Sequence, residues 1–195
     1  MNTDQELIDS FILHNDKDSL KELVEKYTPQ IYNFTRHFVG VNEADDITQD
    51  VFIKVWKNIR KFNSEKASFK TWIFSIAKNT ATDFLRKSRS ASGGSKSIVF
   101  SDLARQDLAQ EEDESFSENI PDESLLPNEA LQRLQDSELL NKVLEKLPIH
   151  YKTVLILHYQ EEMTFDEIGK ILDKPLNTVK SYHRRAILEL RKMLT

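Results

Sequence analysis

Residues 164–194, TFDEIGKILDKPLNTVKSYHRRAILELRKML, decide the fold class. Thr164-Phe165-Asp166-Glu167 spells a capping box, in which the threonine oxygen and the glutamate carboxylate satisfy amides that a helix start leaves free. The helix so begun turns Phe165, Ile168, Ile171 and Leu172 inward, and Gly169 falls where a crossing helix needs close backbone approach. Asp173-Lys174-Pro175-Leu176 then turns the chain, and Asn177 or Thr178 is expected to cap a second helix reaching about Met193. This spacing predicts a helix-turn-helix.

Advancing by about 100° per residue from Thr178 collects Val179, His183, Ala186, Ile187 and Leu190 on one side, the expected core. The other side gathers Asn177, Ser181, Arg184, Arg185 and Leu188, with Lys180 and Tyr182 at its margins. Short donors mixed with cations suit a major groove lined by base acceptors and phosphates. The plainer reading is a helical hairpin with solvated cations; against it, caps, glycine, turn and polar face all agree. His183 is the one polar residue on the core side, where most histidines are satisfied at a core edge. The histidines at 14, 37, 150, 158 and 183 share no one-turn spacing and lack a matched acid, so no metal site is expected.

Working outward, the whole chain of 195 residues is 39% hydrophobic but holds only four glycines and five prolines, which favours helices over turn-dense sheets. The expectation is an all-α protein. The absence of cysteine excludes disulfides, thiolate zinc sites and direct thiol redox sensing. The opening MNTDQELID carries acids where a signal peptide needs a basic start, and no run approaches a membrane span, so a cytoplasmic protein without stable membrane insertion is expected.

The net charge of -5 conceals a segregated distribution. Residues 101–130 carry a net of -9, whereas residues 60–100 carry +7. Helical spacing runs from Leu7, Ile8, Phe11 and Ile12 through Leu20, Leu23, Val24, Tyr27, Ile31, Phe34 and Phe38, with Pro29 expected to kink or divide the second helix. Gly40 supplies a stop, and Asn42 is expected to cap a helix whose buried stripe is Ile47, Val51, Phe52, Val55, Trp56 and Ile59. A loop over 61–67 precedes a helix from about Ser68 to Arg89. Two small helical domains follow: 1–89, and 128–195 with the helix-turn-helix, joined over 90–127 by an acidic flexible linker.

In the 68–89 helix, Trp72, Ile73, Ile76, Ala77, Thr80, Ala81 and Phe84 fall on the expected core side with Phe69. Opposite lie Thr71, Ser75, Lys78, Asn79, Thr82, Arg86 and Arg89, a face that fits a nucleic-acid backbone. Taken alone, it is better read as an ordinary solvated face.

Three strings, NEADDITQDVFIKVWKNIRKF, SFKTWIFSIAKNTATDFLRK and LPIHYKTVLILHYQEEMTFDEIGKILDKPLNTVKSYHRRA, in that order and with a linker before the third, resemble the extracytoplasmic-function sigma factors. The resemblance implies a sigma factor that binds core RNA polymerase, at its beta-prime clamp and beta subunit, and directs promoter-specific initiation. It implies that Asp46, Gln49 and Asp50 contact the clamp, while Lys54 and Lys57 extend that contact or are simply solvated. It implies single-stranded minus-ten contacts by the loop Arg60–Ala67, with its Arg60, Lys61 and Lys66, and by Ser75, Lys78, Asn79, Thr82 and Arg86. Asn177, Thr178, Lys180, Ser181, Tyr182, Arg184 and Arg185 fall on the implied reader of the double-stranded minus-thirty-five element. Ser75 stands where many relatives have arginine, Asn177 where glycine is frequent and His183 where an aliphatic residue is frequent. Many relatives are held inactive by an anti-sigma factor, a further implied partner. The resemblance also routes the linker through the polymerase cleft, where the acids between Asp107 and Glu123 mimic a nucleic-acid backbone; solubility and masking of the basic helices are rival roles.

A stand-alone helix-turn-helix regulator is the main alternative, distinguished by binding operator DNA without polymerase. No phosphate-cradling glycine loop and no nucleophile–base pair is present, so neither enzyme activity nor a cofactor is expected.

Overall fold

The computed structural model describes residues 3–91, 144 and 146–194. The expected linker 90–127 and the start of the second domain therefore lie almost wholly outside the described residues. Within them every regular element is helical. The helices are α1 (Asp4–His14), α2 (Lys17–Val39), α3 (Val41–Asn58), α4 (Phe69–Ala91), α5 (Ile149–Leu155), α6 (Phe165–Leu172) and α7 (Leu176–Leu194). A 3-10 turn, Ile59–Lys61, follows α3, and a π turn, Ile156–Gln160, extends α5. The chain divides into two compact units, one carrying α1 to α4 and the other α5, α7 and most of α6.

The first unit starts at a capping box the sequence reading passed over. Thr3 Oγ1 accepts from the Glu6 amide at 3.3 Å, and Glu6 Oε2 accepts from the Thr3 amide at 2.7 Å. Asp16 caps α2: its carboxylate accepts from Ser19 Oγ at 2.6 Å, from the Asp18 amide at 3.0 Å and from Ser10 Oγ at 3.1 Å. Those bonds, the one from Ser19 foremost, hold the Asp16 carboxyl below its usual range. Pro29 does not divide α2, which runs unbroken through it. Its missing amide costs one bond in a helix already fixed by Leu23, Tyr27, Ile31 and Phe34 in the core.

Gly40 ends α2, its amide bonded to the Arg36 carbonyl at 3.0 Å, and its φ of 88° lies in the left-handed region. The same residue opens α3, so Asn42 is not the cap; α3 begins at Val41, two residues earlier than an Asn42 cap would start it, with no side-chain cap. The α3 stripe also needs correction, because Ile47, Val51, Val55 and Ile59 are buried but Trp56 is 59% exposed. Helices α2, α3 and α4 pack on one another, and α1 lies on α2. Their core is aromatic, with Phe34 edge-on to Phe74 at 5.3 Å and Tyr27 edge-on to Phe69 at 5.3 Å.

In the second unit α5 packs on α7 around Leu144, Leu147, Leu155, Ala186, Ile187 and Leu190. Thr164 and Glu167 form the expected capping box. Asp173 takes the left-handed conformation, φ 55°, and its amide and that of Lys174 return to the Gly169 carbonyl. Gly169 is required because a Cβ there would lie 2.9 Å from the Lys174 carbonyl oxygen. The close approach is thus made by the turn backbone rather than by the crossing helix. Among the described residues no helix is long and apolar enough to cross a membrane.

Candidate nucleic-acid interface

Helix α7 starts at Leu176, so neither Asn177 nor Thr178 is its cap; both sit inside its first turn. The Val179 amide donates to the Pro175 carbonyl at 3.1 Å, which begins the helical ladder. Val179, Ala186, Ile187 and Leu190 are wholly buried, and His183 is 8% exposed, as the spacing required. Leu176, Asn177, Lys180 and Ser181 are exposed, while Thr178, Arg184, Arg185 and Leu188 are half-buried flanks of the same face. Tyr182 does not belong to that face: it is buried, with its ring 4.6 Å from His150 and 5.9 Å from Tyr151. Its place on the margin of the wheel turned inward because α5 supplies aromatic partners there.

Behind α7 lies a cluster that spacing could not show. His183 Nε2 and the Tyr159 hydroxyl are hydrogen-bonded at 2.9 Å, and the His183 ring stands 5.3 Å from that of His158. His158 donates from Nδ1 to the Met163 carbonyl at 2.9 Å and stacks on Phe165 at 4.5 Å. Burial, and secondarily His158, lowers the His183 pKa to about 4, so it is neutral at ordinary pH. Burial likewise raises the Tyr159 hydroxyl above its usual value.

On α4, Ser68 opens the helix, its Oγ accepting from the Thr71 amide at 3.1 Å. Thr71 is only 2% exposed and leaves the outer face, and Phe74 is wholly buried. Because α4 packs against both α2 and α3, its buried arc is wider than a half-cylinder. Ser75, Lys78, Asn79, Thr82 and Arg86 do share the outer face, though only Asn79 and Arg86 are fully exposed. Their polar groups largely bond within the helix. Ser75 Oγ donates to the Trp72 carbonyl at 2.6 Å and Thr82 Oγ1 to the Lys78 carbonyl at 2.7 Å. Lys78 Nζ donates to Asn79 Oδ1 at 3.1 Å, and Arg86 pairs with Asp83 at 3.1 Å.

Beside this face Trp72 is half-buried rather than core, with Phe62 at 5.4 Å and Phe69 at 5.6 Å from its ring. Arg60, Lys61 and Lys66 are all exposed around the turn that Phe62 closes with its amide on the Ile59 carbonyl at 3.1 Å.

A third face lies on α3. Asp46, Gln49 and Asp50 are exposed, and the helical period carries the same stripe to Ile53, Trp56 and Lys57. Ile53 is 46% exposed. Reading for burial alone missed both apolar members. Lys54 sits at the stripe's edge and turns toward α4, donating to Thr80 Oγ1 at 3.0 Å.

A helix-turn-helix with an open polar face, a second helix with a cationic outer face and a third with a mixed apolar and acidic stripe define a class when set beside known proteins. The Sigma-70 region 2 family matches residues 23–91, and the Sigma-70 region 4 family matches residues 137–190. The ECF RNA polymerase sigma factor SigW of Bacillus subtilis is 33% identical over 92% of this chain and 90% of its own. The ECF RNA polymerase sigma-E factor of Haemophilus influenzae is 29% identical over 94% of this chain and 91% of its own. The co-crystal structure of the sigma factor RpoE with the anti-sigma factor NepR from Bartonella quintana shares the fold, with a TM-score of 0.60 and 21% identity, covering 89% of this chain and 95% of that one. The chain belongs to the ECF sigma factors, and as a sigma factor it directs promoter-specific transcription.

Proposed function

We propose that the chain docks on the beta-prime clamp of core RNA polymerase through the outer stripe of α3 and grips promoter DNA at two separate sites. The single-stranded minus-ten element lies along α4 and the loop before it, against Arg60, Lys61, Lys66, Ser75, Lys78, Asn79, Thr82 and Arg86. The duplex minus-thirty-five element receives the first turns of α7, with Asn177, Thr178, Lys180, Ser181, Arg184 and Arg185. The domains bearing these sites are 1–89 and 128–195, tethered by the acidic segment between them. Promoter opening then follows from binding alone. Unstacking costs a few kcal/mol per flipped base, and stacking on a ring such as Trp72 returns about 1–3 kcal/mol. An anti-sigma factor is a further partner, as for the similar Bartonella protein.

The observation that carries this reading is the α3 stripe, where Trp56 is 59% exposed beside Ile53 and the Asp46, Gln49 and Asp50 side chains. An exposed aromatic anchor rimmed by polar groups is the composition of a protein-docking surface. The test is transcription by bacterial core polymerase over a genomic promoter library with the chain added. The expected result is a set of start sites preceded by two spaced elements, lost when Asp50→Lys is combined with Gln49→Ala. Start sites identical to those of core polymerase alone, or full co-purification of the folded variant with core, would contradict the proposal.

A further inference from the structure

Among the exposed large apolar side chains of the described residues, Ile53 and Trp56 belong to the α3 stripe, and Leu176 stands on the polar face of α7. It is 42% exposed at the head of α7, whereas Val179, Ala186, Ile187 and Leu190 of the same helix are wholly buried. One helical turn sets it beside Lys180, and the adjoining positions of that face are Asn177 and Ser181, all exposed. Asn177, Lys180 and Ser181 make no side-chain hydrogen bond among the described residues. The backbone around the leucine is tied down. Pro175 fixes the backbone before it and accepts from the Val179 amide, and the Lys174 amide is tied to the Gly169 carbonyl at 3.0 Å.

A helix that enters the major groove by its N-terminal residues presents its first turn to base edges. Of the groups displayed there, the C5 methyl of thymine is the one that projects as an apolar knob; most of the others are hydrogen-bond donors and acceptors. Polar and cationic neighbours satisfy the latter, and Leu176 has nothing to offer except to the former. We infer that Leu176 is a specificity-determining residue that packs on a thymine methyl in the duplex upstream element, so that this chain requires an A·T pair of fixed orientation at one position. The inference rests on the placement of α7 in the minus-thirty-five element.

The test replaces each upstream thymine in turn by deoxyuridine, which deletes the methyl and leaves every hydrogen-bonding group. Promoter binding by the reconstituted holoenzyme is measured by competition. At one position the wild type is expected to lose about three- to tenfold, the worth of one buried methyl. Leu176→Ala is expected to bind the thymine promoter correspondingly more weakly and to be indifferent to deoxyuridine at that position alone. Leu176→Met, which keeps the hydrocarbon, is expected to retain the discrimination. If the wild type shows no methyl-sensitive position, or Leu176→Ala discriminates as the wild type does, the inference is overturned. An Arg185→Ala control separates the two levels. If it and scrambling of the upstream element both leave binding unchanged, the placement of α7 itself has failed; if they weaken binding while methyl sensitivity ignores residue 176, only the role of Leu176 has failed.

Discussion

The outer face of α4 and the outer face of α7 have similar compositions but opposite states of readiness. On α4 the hydroxyls of Ser75 and Thr82 are bonded to their own helix, Lys78 to Asn79 and Arg86 to Asp83. On α7 Asn177, Lys180 and Ser181 are exposed and bonded to nothing among the described residues. A face whose hydroxyls and cations are mostly engaged, with Asn79 still offering its amide donors, suits strand contact in which the neighbouring Trp72 ring supplies much of the grip. A face of open donors suits base readout, because wrong bases leave those donors without partners. Behind the faces the contrast continues. The first unit is backed by an aromatic core around Phe34 and Phe74, whereas α7 is backed by the His183–Tyr159–His158 cluster.

That second contrast gives the largest expected effect. His183 is held neutral in the fold with a pKa of about 4, below the ordinary 6.5 that it regains on unfolding. The unfolded chain therefore takes up the proton first as pH falls. The stabilising contribution is fully present above about pH 6.5 and is lost progressively toward pH 4, amounting to as much as about 3 kcal/mol. Amide exchange at Ile187 and Leu190 should report this loss, and His183→Leu should flatten it. A second unit equally stable at pH 4.5 and 7 would erase the distinction between the two cores.

Next in size is the difference between the faces themselves. Arg185→Ala on α7 should reduce discrimination among upstream elements by about 1–3 kcal/mol if that side chain reaches a base edge, and lower affinity uniformly if it reaches phosphate. Ser75→Ala on α4 should be the smallest change, within about 0.5 kcal/mol in stability and with promoter preference unaltered, since its hydroxyl serves only the Trp72 carbonyl. A Ser75→Ala variant with altered base preference would show that the α4 hydroxyls leave their helix to read DNA.

What the sequence made legible was local. The Thr164 capping box, the Asp173 turn and the core side of α7 depend on residues within a few positions of one another. The errors arose where burial depends on a distant neighbour. Tyr182 and Thr71 turned inward because α5, and α2 with α3, cover more of each helix than a two-sided wheel allows. Trp56 stayed outside although its apolar ring suggested the core. The pairing of His158 with His183 joins residues on different helices and is invisible to spacing. Asn42 looked a better cap than the unassisted start at Val41, but the left-handed Gly40 sets where α3 begins. The polar face of α7 was legible from caps, turn and spacing, and the clamp and minus-ten roles from resemblance to a family, whereas the hydrogen bonds that engage or free each face depend on the fold.

The most direct test of the central claim is equilibrium binding of a fluorescent promoter fragment, taken from the start sites found by transcription, to the chain with and without core polymerase. With core polymerase, tight binding that discriminates the promoter from a scrambled fragment is expected, and the free chain should bind both fragments weakly and alike. Equal discrimination by the free chain would contradict the account and identify a self-sufficient regulator of operator DNA.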